Sequence, residues 1–208
     1  MTLIDALATL AAGLEPVFET GDAAARLALT NTHASKALAR LAAAGHLVSL
    51  RRGLWAFPGR IDALSLPGRL TAPLPSYVSL QSALYLHGMI SQVPTVTYAV
   101  SLARARQYTT PLGVVSVHHV TPGFFFGFAE VGRQGALIAS PEKALVDFLY
   151  LAPARSMLFR GLPEVEFPRE FSLRRAYGMT KRITSRGRRA MVAASLARIA
   201  KAADSSRT

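Results

Sequence analysis

Cysteine is absent from the 208 residues, which excludes disulfide frameworks, thiolate nucleophiles and Cys-ligated zinc. Acidic side chains are scarce: 12 Asp and Glu stand against 24 Lys and Arg, a formal charge of +12. Carboxylates so few and so scattered leave little basis for metal-assisted chemistry, and no metal or cofactor is expected. Enzyme signatures are missing as well. The chain has no G-x-x-x-x-G-K-[ST] phosphate loop, no G-x-S-x-G elbow, no H-E-x-x-H pair and no Rossmann glycine fingerprint. An uninterrupted apolar run is lacking too. Residues 70–103 carry no charge, but Pro73, Pro75, Pro94, Gln81 and Gln92 break that stretch, and a spanning helix needs about 20 apolar residues in succession. Met1 to Leu14 has no basic start and holds Asp5, so it does not read as a signal peptide. The expectation is a cytoplasmic protein without a membrane partner.

What is present is positive charge, unevenly placed. Residues 1–60 hold 6 basic and 4 acidic side chains, residues 61–150 hold 5 and 4, and residues 151–208 hold 13 and 4. Half of the chain is apolar, enough to bury a core. The surplus favours a polyanion or an acidic protein surface as partner.

The first sixty residues read as helix, helix, short turn, helix, hairpin. Leu3, Leu7, Leu10 and Leu14 recur at helical spacing, with Gly13 near the end. A second helix is expected from about Thr20 or Asp22 to Leu29. Thr30 and Asn31 form a turn in this reading, and a third helix runs to Ala44 with Gly45 as its left-handed stop. Leu47 to Leu50 and Leu54 to Phe57 make a hairpin joined by Arg51, Arg52 and Gly53. This order is that of a winged helix-turn-helix, residues 1–66. On the third helix Ala34, Leu38 and Leu41 face a core, and His33, Lys36 and Arg40 face outward. Asn31, Thr32, His33 and Ser35 at its start are short hydrogen-bonding side chains suited to base edges. Lys36, Arg40, Arg51 and Arg52 suit phosphates, and a hairpin arginine can also enter a minor groove. The bland alternative is an ordinary solvated face and a basic turn.

Residues 67–75, rich in Pro and Gly, read as a linker. Beyond them Leu80 to His87 is a helix ended by Gly88, Thr95 to Ser101 and Val114 to Val120 are strands, and Ser140-Pro141 opens another helix. Phe124, Phe125, Phe126 and Phe128 read as core packing, with an aromatic docking patch as the other use. His118 and His119, adjacent in a strand, point to opposite faces and cannot grip one metal together. Glu142 and Asp147, five apart, do not face one another on a helix.

The strings YVSLQSALYLHGMI (77–90), TTPLGVVSVHHVTPGFFFGF (109–128) and IASPEKALVDFLYL (138–151) resemble, in order and spacing, the signature blocks of AbiEi-type antitoxins. These are bacterial transcriptional regulators of the abortive-infection, type IV toxin–antitoxin kind. The resemblance implies an α+β chain: a winged helix followed by a mixed α/β antitoxin domain, residues 76–208, with a small antiparallel sheet. It implies repression of the protein's own operon through double-stranded operator DNA, and neutralisation of a nucleotidyltransferase-like toxin. A monomer in solution, cooperative on DNA, is among the states it allows. The Gly-Ser dipeptide that opens nucleotidyltransferase sites is missing, so this chain is the partner and not the transferase. A winged-helix regulator without a toxin partner and an undetected enzyme are the competing readings.

The region after Leu151 departs from the family blocks. Arg174, Arg175, Lys181, Arg182, Arg186, Arg188 and Arg189 cluster there, with Val192, Leu196, Ile199 and Ala203 following at helical spacing. Three uses are open for that cluster: further phosphate contacts, contact with an acidic toxin surface, or a solvated face.

Overall fold

The computed structural model describes residues 2–152 and 165–205. The chain opens with α1 (Leu3–Gly13), β1 (Val17–Glu19), α2 (Thr20–Leu27) and α3 (Asn31–Ala43), followed by β2 (Val48–Arg51) and β3 (Leu54–Ala56). Local chemistry sets these boundaries. The Thr2 hydroxyl accepts from the Asp5 amide while the Asp5 carboxylate accepts from the Thr2 amide, a closed capping box for α1. Ala28 takes a left-handed turn (φ 53°) between α2 and α3. Asn31 is not part of that turn. Thr30 is the N-cap and accepts from the His33 amide, so Asn31 already lies in the first helical turn. At the other end Gly45 (φ 78°) closes α3, with amide bonds from Gly45 to Ala42 and from His46 to Leu41. That pair of bonds is the Schellman pattern, and its left-handed residue favours glycine.

β1, β3 and β2 pair antiparallel in that order. β1 escapes a sequence reading because three residues are too few to show a period. The sheet is covered on both faces. Phe18 and Trp55 join Leu10, Leu38 and Leu41 under the helices. Their neighbours Val17, Leu54 and Ala56 point the other way, into a second apolar layer, as the period-two alternation of a strand requires.

That second layer removes the expected linker. Pro67 and Gly68 lie within α4 (Leu66–Thr71), and Leu66, Pro67, Leu70 and Thr71 are buried. Proline is compatible with the first helical turn because its missing N–H has no partner there in any case. Leu66 and Leu70 pack with Val17, Leu50 and Leu54 from the first sheet and with Val115 and Val117 from the next one.

The rest of the chain comprises β4 (Ser76–Val78), α5 (Leu80–Leu86), β5 (Thr97–Ser101), β6 (Arg106–Thr110), β7 (Gly113–His119), β8 (Phe128–Val131), β9 (Ala136–Ala139), α6 (Pro141–Leu151), α7 (Leu173–Thr180) and α8 (Arg186–Ser205). The fold is therefore mixed α+β. Its second sheet is six-stranded, β6-β7-β5-β4-β9-β8, and not the small antiparallel sheet expected. β5 with β7 and β4 with β9 are parallel. Such pairs join strands distant in sequence, and hydrophobic pattern does not name the partner. Among the described residues no helix is long and apolar enough to cross a membrane. α7 and α8 pack on α6, and Val192 and Leu196 of α8 are fully buried.

α6 carries the charged centre of this second core. Lys143 and Asp147, four residues apart, are both 0% exposed and ion-paired. Asp147 Oδ2 also accepts from the Tyr77 hydroxyl (2.9 Å) and the Ser79 hydroxyl (2.8 Å). The Lys143 ammonium lies over the rings of Phe124 (3.9 Å), Phe126 (4.7 Å) and Tyr77 (5.6 Å), which face it with their negative quadrupoles. Burial raises the Asp147 carboxyl and lowers the Lys143 amine, and the mutual charge opposes both shifts. The Ser79 side chain makes no cap bond to α5, and the next residue, Leu80, is held at φ 54°. Gly127 (φ 77°) lets the loop after the phenylalanines pass the Lys143 stem, where a Cβ would stand 3.1 Å from Cγ. Lys143→Met should destabilise the fold by about 3–5 kcal/mol, because it leaves a buried carboxylate without its cation. Lys143→Met with Asp147→Asn should recover part of that loss, since the amide oxygen still accepts from Tyr77 and Ser79. Urea unfolding of the two variants beside the parent measures both.

Candidate nucleic-acid interface

α3 presents two faces. Ala34, Leu38 and Leu41 are fully buried. Asn31, Thr32, His33, Ser35, Lys36 and Arg40 are all exposed, as the helical period requires. No acidic residue occurs between Asn31 and Ala43, so nothing on the helix offsets Lys36 and Arg40. The His33 ring is partly committed, with Nδ1 lying 3.1 Å from the Thr30 hydroxyl of the cap. Its Nε2 remains as the outer pole of the ring.

The hairpin that follows is anchored at its tip. Gly53 (φ 79°) turns the chain, and its carbonyl accepts from the Thr20 amide at the start of α2 (2.9 Å). The Trp55 indole donates to the Thr20 hydroxyl (3.0 Å). A basic tip is thus fixed relative to the helices instead of swinging freely. Arg52 is exposed on that tip. Arg51 is half-buried at the end of β2, and its Nε is sealed from solvent with no acceptor among the described residues. The two arginines of the tip are therefore unequal. β2 also lies beside β6, the edge strand of the second sheet, which carries exposed Arg106. Sequence reasoning missed that neighbour, because only the tertiary contact of β2 with β6 brings it near.

The C-terminal cluster sits on other elements, and part of it is structural. Arg175 Nε and Nη2 donate to Glu142 Oε1 (2.9 and 2.6 Å), which also accepts from the Ser172 amide (2.9 Å). Arg189 donates twice to the Ile183 carbonyl (2.9 and 2.7 Å). The guanidinium groups of Arg182 and Arg188 lie over the rings of Phe126 (4.4 Å) and Tyr150 (5.0 Å). Arg174, Lys181 and Arg186 are exposed. The cluster counted along the sequence thus divides into cations that hold α7 and α8 in place and cations that face water.

Tyr77, Lys143 and Asp147, joined by the Ser79 hydroxyl, form a buried titratable cluster. Each is 0% exposed, so a substrate has no route to them, and they hold the core instead. His118 is half-buried in β7, where burial lowers its pKa, and His119 points to the exposed side with Nδ1 3.1 Å from the Ala103 carbonyl. His87 ends α5, and its Nε2 donates to the Ala139 carbonyl (2.7 Å). Phe124 is buried and Phe125, Phe126 and Phe128 pack against the same core. No protein-family model matches the chain, and no curated protein matches it either.

The Glu142–Arg175 contact carries a pH dependence. Burial pushes the Glu142 carboxyl up, but the hydrogen bonds from Arg175 and Ser172 outweigh it and hold the pKa below the ordinary 4.5. A depressed carboxyl contributes stability above its unfolded pKa and loses it as pH falls through the folded one. Stability should therefore fall from pH 4.5 downward more steeply in the parent than in Glu142→Gln. Thermal melts across that acid limb compare the two slopes.

Proposed function

We propose that residues 1–66 form a winged helix that reads double-stranded operator DNA, and that the chain represses its own operon. One observation carries this reading: α3 exposes a continuous polar and basic face, free of acid, from a helix whose opposite face is locked in the core. In that reading α3 lies in the major groove. Asn31, Thr32, His33 and Ser35 face base edges, while Lys36 and Arg40 meet phosphates. The order α1, β1, α2, α3, β2, β3 with an antiparallel β1-β3-β2 sheet supports a winged helix, and Arg52 at the anchored tip is the wing contact. The formal charge of +12 adds sequence-independent attraction.

The second half of the proposal is that the six-stranded unit neutralises a nucleotidyltransferase-like toxin in the bacterial cytoplasm. It rests on the resemblance of residues 77–90, 109–128 and 138–151 to AbiEi-type antitoxins. The site assigned to DNA lies on α3 and the hairpin, apart from those three strings.

Fluorescence anisotropy on the DNA upstream of the gene tests the first half. Lys36→Ala or Arg40→Ala should weaken binding to every sequence and lower the salt slope by about one unit for each phosphate lost. Asn31→Ala should instead relax preference at one base position, at a cost of about 1–3 kcal/mol. If the variants at 31, 36 and 40 all bind like the parent, α3 is not the reader. Co-expression with the neighbouring open reading frame tests the second half: growth arrest by that frame alone, relieved by this chain, is the expected result. A neighbour that is harmless alone leaves the regulator without a toxin partner.

A further inference from the structure

A cleft of about 730 Å³ opens over one face of the β8–β9 hairpin, within the range of small-molecule sites. Ala129 and Val131, two apart on β8, share that face with Ile138, which pairs with Ala129. Leu86 and His87 at the end of α5 form one wall, and Arg175 and Met179 of α7 form another. Val131 and Leu86 are 49% and 44% exposed, so the cleft leaves two large apolar side chains in water.

Polarity is confined to one end. The hairpin runs from the Phe128–Ala139 pair to the Val131–Ala136 pair, a length of about 10 Å. At the first end stand Ser140, Glu142 and Arg175, together with His87, which is bonded to the Ala139 carbonyl. At the second end the lining is Val131 and Leu64. Glu142 is neutralised by Arg175, whose Nε and Nη2 are committed to Glu142 and to the Glu170 carbonyl. Arg175 Nη1 has no hydrogen-bond partner among the described residues, and its side chain is 58% exposed. The Ser140 oxygen accepts from the Lys143 amide (3.2 Å), which leaves its proton to donate. The first turn of α6 adds no free amide there, since Pro141 has none and the Lys143 amide is bonded to Ser140. The polar contacts at this end are therefore Arg175 Nη1 and the Ser140 hydroxyl.

We propose that this cleft binds a small amphipathic anion: a carboxylate head at Arg175 and Ser140, and an apolar body of about 10 Å along Ala129, Ile138 and Val131. The assignment is independent of the DNA-binding reading, whose residues lie on α3 and the β2–β3 hairpin.

Titration calorimetry of the full chain with decanoate and with decanol, both below their aggregation limits, tests it. Decanoate should bind saturably, and decanol, equal in length but without charge, should bind at least about tenfold more weakly, or about 1.4 kcal/mol. Ala129→Phe fills the floor of the cleft on a strand that tolerates an aromatic residue. It should lower decanoate affinity at least about tenfold with the melting temperature unchanged. Methyl shifts on decanoate addition should fall at Leu86, Val131 and Met179. Three results would overturn the proposal: no saturable decanoate binding by the parent, equal binding of decanoate and decanol, or undiminished binding by a folded Ala129→Phe. The first of these would leave the exposed Leu86 and Val131 as a surface for a macromolecule.

Discussion

The seam between the two sheets governs how this molecule presents its surface. Val17, Leu50, Leu54 and Ala56 come from the first sheet, Leu66 and Leu70 from α4, and Val115 and Val117 from β7. Because successive strand residues point to opposite faces, the short β3 serves two cores at once: Trp55 under the helices, Leu54 and Ala56 in the seam. Burying a leucine contributes about 1.5–3 kcal/mol, so the four leucines of the seam are together comparable with the margin of about 5–15 kcal/mol on which a domain is stable. Trp55 of β3 packs with the helices, while Leu54 and Ala56 of the same strand pack with α4 and β7. The outward face of α3 is thereby held at a fixed angle to the rest of the chain.

Charge obeys the same economy of positions. Lys143 is the one cation enclosed entirely by the second core among the described residues, matched by Asp147 and faced by aromatic rings. Glu142, one residue away on α6, reaches outward to fix α7 through Arg175. One helix thus anchors strand β4 through Asp147 and the C-terminal helices through Glu142. The arginine-rich segment is in part the counterpart of this arrangement, which is why its residues differ in what they do. Among the described residues, the exposed Lys36, Arg40 and Arg52 have no such employment in the fold and face water.

What could be read in advance depended on range. α3 was legible because its amphipathic period and its glycine stop are local, although Thr30, read as part of a turn, is its N-cap. The Ser140-Pro141 start of α6 and the Val192–Leu196 stripe of α8 were legible for the same reason. The proline-rich stretch was misread because Pro67 serves the first turn of a helix, a use that composition does not distinguish from a linker. The order of the six strands was not legible, since it joins segments such as β4 and β9 across sixty residues. In the site, the exposure of His33, Lys36 and Arg40 followed from the helical period alone. The unequal burial of Arg51 and Arg52, the approach of β6 to β2, and the capture of Arg175 by Glu142, 33 residues away, are tertiary facts. The Lys143–Asp147 pair was not read from the sequence, where Asp147 was weighed only against Glu142, and its burial is likewise a tertiary fact.

The central claim is that α3 and the hairpin tip are the surface that meets nucleic acid. Hydrogen–deuterium exchange of the full chain, free and bound to the DNA upstream of its gene, tests this most directly. The account predicts slowed exchange at the start of α3, residues 31–36, and at residues 51–53, with α7, α8 and the β8–β9 hairpin unchanged. Slowed exchange confined to residues 173–189, with residues 31–36 and 51–53 exchanging as in the free protein, would contradict it.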